Sequence, residues 1–129
     1  MRIGELADAA GTSTKTLRFY EEQGLLPEPE RTPSGYRDYG LESLDRIGFI
    51  HRGQASGLTL AQIREVLDIR DGGHAPCEHV RDLLGHRLAD IDAQIHRLTE
   101  LREAVARLHD EAAEVNPDSC GPDAVCRYV

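Results

Sequence analysis

Three cysteines are all that 129 residues offer. So few cannot build a disulfide framework, and an odd number in a reducing compartment points to thiolate chemistry or to none. No run is long and apolar enough to read as a membrane span, and no secretory-leader pattern opens the chain. We therefore expect a cytoplasmic protein with no membrane partner. No nucleophile beside a base stands out, so an enzyme is not expected. An excess of basic residues is missing too: the formal charge is -8 and the pI about 5.2, whereas nucleic-acid-binding domains are usually basic. The acidity is uneven, however. Asp90, Asp92, Glu100, Glu103, Asp110, Glu111, Glu114, Asp118 and Asp123 crowd the last third, while between Lys15 and Arg52 basic residues fall at turn and helix-start positions. Any DNA contact is therefore local, with weak long-range steering.

Proline is absent between Pro76 and Pro117, and there the hydrophobic pattern is clearest. Val80, Leu84, Leu88, Ile91, Ile95, Leu98, Leu101, Val105 and Leu108 recur at gaps of three and four, the spacing of a helix with one narrow apolar seam. Pro76 fits a first helical position, Gly85 is the weak interior residue, and Asn116-Pro117 is a stop signal. A helix over 76–115 is a rod of about 55–60 Å. One small domain cannot bury such a seam, so we expect a coiled coil with a second copy, Leu88, Ile91, Ile95 and Leu98 near the contact. The rod separates Cys77 at its start from Cys120 and Cys126 beyond its end, too far to share an ion within one chain. In an antiparallel pair, each Cys77 comes beside the other chain's Cys120 and Cys126, which makes two symmetric sites available to thiophilic metal ions.

Ahead of the rod, residues 2–10 read as a short helix with Ile3, Leu6, Ala7 and Ala10 inward. Gly11-Thr12 follows as a tight turn, and Thr12 or Ser13 can cap the next helix. That helix turns Leu17 inward, carries Lys15, Thr16, Arg18 and Tyr20 on other faces, and ends at Gly24. Two short helices about a glycine turn fit a helix-turn-helix, a pattern that many small helical proteins share. Residues 29–39 add turn residues and the alternation of Tyr36, Arg37 and Tyr39, which predicts a short two-stranded wing. Arg31 and Arg37 can reach phosphates and Tyr36 can hydrogen-bond one, whereas Tyr39 reads as a core aromatic.

At this point the chain becomes recognisable. Ile3-Gly4-Glu5-Leu6-Ala7, then Thr16-Leu17-Arg18-Phe19-Tyr20-Glu21, Gly24-Leu25-Leu26, Arg31 and Gly35-Tyr36-Arg37-Asp38-Tyr39 resemble the MerR family of transcriptional regulators, in order and spacing, across about seventy residues. Phe19 stands where the family often has tyrosine, a departure that removes one hydroxyl. The resemblance implies a mainly α fold: a winged helix-turn-helix over 1–71, a long antiparallel coiled-coil dimerisation helix over 76–115 and a short metal-binding loop over 116–129. Within the first part it implies a second helix pair, Leu41–Ala55 and 59–70. Leu44, Ile47, Phe49 or Ile50, then Leu60, Ile63, Val66 and Leu67 would face inward, and Thr59 with Gln62 forms a near capping box. Residues 53–58 look like a second wing beside the candidate phosphate contact Arg52.

The metal-sensing branch of the family carries one cysteine at the start of the dimer helix and two in a loop after it, an arrangement that Cys77, Cys120 and Cys126 resemble. The family usually has the first loop cysteine at the helix end, where this chain has Ala112. Either the rod is extended and Cys120 and Cys126 take both loop roles, or Cys120 is the second family cysteine and Cys126 is additional. In the latter case His109, Asp110, His74 or His79 would complete the shell. We prefer the former. By the same resemblance, copper-type sensors of monovalent ions have serine at the Cys77 position, and a third thiolate favours a divalent ion: zinc, cadmium, lead or mercury. The expected protein is a metal-responsive homodimer that binds a promoter operator in double-stranded DNA and activates transcription by RNA polymerase on binding the ion, by distorting the DNA. A copper-type, oxidant or organic-effector sensor using the same cysteines is the alternative. The short stretch after Val115 leaves no effector domain and there is no iron–sulfur cluster motif. A metal-buffering protein would leave the motifs at 16–21 and 35–39 unexplained.

Overall fold

The computed structural model of the chain describes residues 1–114; Cys120, Cys126 and the predicted loop over 116–129 lie outside them. In chain order the elements are α1 (Ile3–Ala10), α2 (Thr14–Glu22), β1 (Glu30–Arg31), β2 (Arg37–Asp38), α3 (Leu41–Ala55), α4 (Leu60–Asp71) and α5 (Cys77–Glu114). Two compact units divide the chain, Met1–Arg87 and a second that begins at Leu88.

In the first unit α1 packs on α2 and α3, and α3 packs on α4. Local signals set the ends of these helices. Gly11 adopts φ 68° after α1, and the Thr12 N–H reaches back to the Ala7 carbonyl at 2.9 Å, which ends the helix in a left-handed residue that glycine adopts freely. Ser13 then caps α2, its hydroxyl accepting from the Thr16 N–H at 3.1 Å. Thr59 and Gln62 complete the full reciprocal capping box of α4: the Thr59 hydroxyl accepts from the Gln62 N–H at 3.1 Å and the Gln62 side chain from the Thr59 N–H at 3.0 Å.

The core of this unit joins Leu6, Leu17, Leu25, Leu26, Tyr39, Ile47, Ile50, Ile63 and Leu67, with Leu83 of α5 packed against it. Val66 is buried as expected, while Leu44, Phe49 and Leu60 are half-buried at its edge. One expected loop is not a loop at its beginning. Gly53, read as the start of a second wing, lies in the last turn of α3 and is buried. A Cβ there would sit 2.9 Å from Ile63, so the close approach of α3 to α4 is what the glycine serves. The connection proper begins at Ser56.

Arg46 is an exception among the buried residues, 7 % exposed yet charged. Its Nε donates to the Leu25 carbonyl at 2.5 Å, and its two terminal nitrogens donate to the Asp71 carboxylate at 2.8 and 2.9 Å. One guanidinium thus ties the segment after α2 to α3 and to the last residue of α4. The hydrogen bonds from Arg46 hold the Asp71 carboxyl below the usual carboxylate range. Breaking a pair strands the buried partner, so Asp71→Asn is expected to lower stability by about 1–3 kcal/mol near neutral pH, reduced from a fully buried case because Asp71 is half exposed. Since the folded pKa is the lower one, this contribution is complete above the unfolded value near 4 and disappears as pH falls through the folded value. Urea melts of both proteins should therefore differ at pH 7 and converge in acid.

α5 runs unbroken from Cys77 to Glu114 and has no buried residue. In the second unit Leu88, Ile95, Leu98, Leu101, Val105 and Leu108 are each between 41 % and 65 % exposed, so the apolar seam read from the sequence has no partner within the described residues. No described helix is long and apolar enough to cross a membrane.

Candidate functional site

α2 is the second helix of the helix-turn-helix, and its outward side carries Lys15, Arg18 and Phe19, all exposed. Thr16 is half-buried at the first turn, its hydroxyl 3.0 Å from that of Ser13. Tyr20 corrects the sequence reading. It lies three residues from Leu17 and shares its inward face; the ring is 4 % exposed and the hydroxyl donates to the Gln54 side chain at 3.2 Å. Burial pushes its phenol above the ordinary value. Tyr20 thus packs α2 onto α3 instead of facing outward.

β1 and β2 pair antiparallel, Glu30 opposite Asp38 and Arg31 opposite Arg37, which forms the predicted wing. Its tip is closed by the Thr32 N–H donating to the Tyr36 carbonyl at 2.7 Å. Tyr36 is 53 % exposed and Tyr39 is 2 % exposed, so only the first presents its ring outward. Arg37 does not extend freely from the wing: its Nη1 is 2.7 Å from the Glu21 carboxylate. Tyr39 donates its hydroxyl to the same carboxylate. The hydrogen bond with Tyr39, then the charge of Glu21, raise the Arg37 pKa; burial, then the bond to Glu21, raise that of Tyr39. This trio fastens the wing to the end of α2. Arg31 donates to the Gly35 carbonyl at 3.0 Å across the wing turn. Arg52, on the last turns of α3, is exposed.

Sequence reasoning missed Glu21 and Arg2, which shape this surface, and Arg46, which ties the segment after α2 to α3 and α4. Each acts through a partner distant in sequence, and only the spacing of like residues is visible to a periodicity argument.

Cys77 is exposed at the first residue of α5. His79 is half-buried, with Nε2 3.5 Å from the Glu65 carboxylate and without a hydrogen bond. His109 is 80 % exposed on its side chain and faces Asp110 at 3.5 Å. Among the described residues no three histidine, cysteine or acidic side chains converge as metal ligands. Cys77 is of the donor type a thiophilic cation selects, but one thiol is not a site, and further donors must come from elsewhere.

A helix-turn-helix, a two-stranded wing, a second helix pair and a long following helix define a winged DNA-binding module of the kind found in transcription regulators. Residues 1–69 match the family described as MerR HTH family regulatory protein, and residues 44–108 match the one described as MerR, DNA binding. The chain belongs to the MerR family of helix-turn-helix regulators and is not an enzyme. It is 40 % identical over 113 residues to the mercuric resistance operon regulatory protein of Bacillus cereus, covering 88 % of this chain and 86 % of that one. It also resembles the crystal structure of the transcription regulator PbrR691 from Ralstonia metallidurans CH34 in complex with lead(II), with TM-score 0.76, 36 % identity and 94 % of each chain covered. A third relative is the dual-function regulator MerR of Bacillus megaterium MB1 in complex with mercury(II) ion, with TM-score 0.65, 33 % identity, and 99 % of this chain and 94 % of that one covered.

Proposed function

We propose that this regulator is a homodimer that responds to a divalent thiophilic metal ion and activates transcription from the operator it occupies. In this reading residues 1–71 bind DNA, 76–115 dimerise and 116–129 carry the metal-binding loop. The observation that carries it is Cys77: a thiol at the first residue of the long helix, in a chain whose relatives of 33–36 % identity and near-complete coverage are lead- and mercury-bound regulators. Lead(II) and mercury(II) are both ions that thiolates bind well. Cys120 and Cys126 are the remaining ligands in this account, with His79 and His109 as lesser candidates, and the chain's residues do not choose among zinc, cadmium, lead and mercury.

On the DNA side, Lys15, Thr16 and Arg18 of α2 enter the major groove, and Arg31, Tyr36 and Arg52 hold the backbone around it. Arg37 contributes chiefly by bonding Glu21, which keeps the wing in place. Activation follows from linkage. An ion held by thiolates of both chains favours whichever protomer arrangement closes its shell, and it shifts the population by the difference in its affinity for the two arrangements. The dimer stays on its operator throughout and distorts the promoter so that RNA polymerase can use it.

The DNA half of the proposal is tested with a duplex captured by the wild-type protein from fragmented DNA of its own genome. Arg18→Ala should weaken binding to it by about 1–3 kcal/mol and blunt discrimination against scrambled duplexes. Wild-type affinity and discrimination in that variant would remove Arg18 from the base-reading set.

A further inference from the structure

An open groove of about 660 Å³ separates the start of α1 from the wing, lined by Arg2, Glu5, Asp8, Arg31, Tyr36 and Arg37 among others. Its three arginines are not equivalent. Arg37 is neutralised by Glu21 at 2.7 Å. Arg31 donates to the Gly35 carbonyl at 3.0 Å and lies 3.9 Å from Glu28. Arg2 makes no ion pair among the described residues. Its guanidinium carbon sits 4.2 Å above the centroid of the Tyr36 ring. Of the two carboxylates on the α1 side, Glu5 already accepts the Arg2 backbone N–H at 3.2 Å. Glu5 and Asp8 repel an anion from the α1 wall, which leaves the wing side of the groove as its place.

A guanidinium stacked on an aromatic ring uses only its face. Its N–H groups point outward in the plane, in the fork geometry that a phosphodiester accepts. The stack also fixes a side chain that would otherwise lose much rotamer freedom on binding. We propose that Arg2, held over Tyr36, binds a phosphate of the DNA backbone, so that the free cation of the wing is supplied by the residue preceding α1. The inference rests on the DNA-binding reading above and adds a backbone contact to it.

The test uses the full-length chain and the captured duplex, with a scrambled duplex alongside, and follows Kd across roughly 50–300 mM salt. Arg2→Ala should weaken binding to both duplexes by about tenfold at low salt and reduce the slope of log K against log salt by about one unit. Arg2→Gln, which keeps length and polarity without charge, should do the same. Arg2→Lys should keep the slope and lose part of the affinity, because an ammonium replaces the stacked fork. Tyr36→Ala should weaken binding as well, and the double variant should lose clearly less than the product of the two single losses, since part of what the ring does is to place the guanidinium. Wild-type affinity and slope in Arg2→Ala and Arg2→Gln would overturn the proposal, as would losses that multiply in the double variant. A wild-type protein that captures no duplex would instead remove the DNA-binding reading, and this inference with it.

Discussion

A heterodimer with Cys77→Ser in one chain and Cys120→Ser in the other is expected to bind about one metal ion with near wild-type affinity. If each site takes Cys77 from one chain and Cys120 and Cys126 from the other, both lesions fall in the same site and the second site stays whole. A site built within one chain would be damaged in both subunits, and no tight site would survive. Thiolate-to-metal absorption, titrated with mercury(II), cadmium(II), lead(II) or zinc(II), separates the two outcomes. In homodimers, loss of any of the three thiols should abolish metal-induced transcription and leave operator binding largely intact. His109→Ala should do less, because its side chain is 80 % exposed beside Asp110, as an ordinary solvated histidine is.

Ile95→Asp is expected to turn the dimer into monomers at micromolar concentration. Ile95 lies at the middle of α5 and is 56 % exposed in the single chain, so the charge costs little there. Seven large apolar residues of α5, Leu84 to Leu108, stand about half exposed. Covering the exposed half of each contributes about 1 kcal/mol, so two chains gain on the order of 14 kcal/mol. Association itself costs about 4–15 kcal/mol. The margin is narrow enough that desolvating two carboxylates, at several kcal/mol, decides the equilibrium. Sedimentation of an intact Ile95→Asp dimer would place the contact elsewhere on the chain.

What the sequence reveals is what is local. Leu41–Ala55 was legible to the residue through the resemblance to the family, and Thr59 with Gln62 marked the start of α4 by a reciprocal cap. The helix from Cys77 to Glu114 follows from an uninterrupted period between two prolines. Tyr20 was misplaced because its neighbours Lys15, Thr16 and Arg18 are polar, while the face it shares with Leu17 shows only when helical spacing is followed strictly. The bonds that fasten the wing and tie the helices together are of another kind. Arg37 meets Glu21 sixteen residues away, and Arg46 meets Asp71 twenty-five residues away. Charge pairs of that range leave no periodic trace, and neither does the stacking of Arg2 on Tyr36. The metal ligands are harder still, since in the proposed function they belong to two chains, and of the three cysteines only Cys77 lies within the described residues.

In the function proposed above, a thiophilic ion changes the output of a promoter on which the protein remains bound. In vitro transcription from the captured promoter fragment, with purified RNA polymerase and simultaneous footprinting, tests it directly. One or more of zinc(II), cadmium(II), lead(II) and mercury(II) should raise transcript yield while the footprint stays in place, and Cys77→Ser should remove the rise. A transcript level indifferent to all four ions, or one that changes only as the footprint is lost, would contradict it.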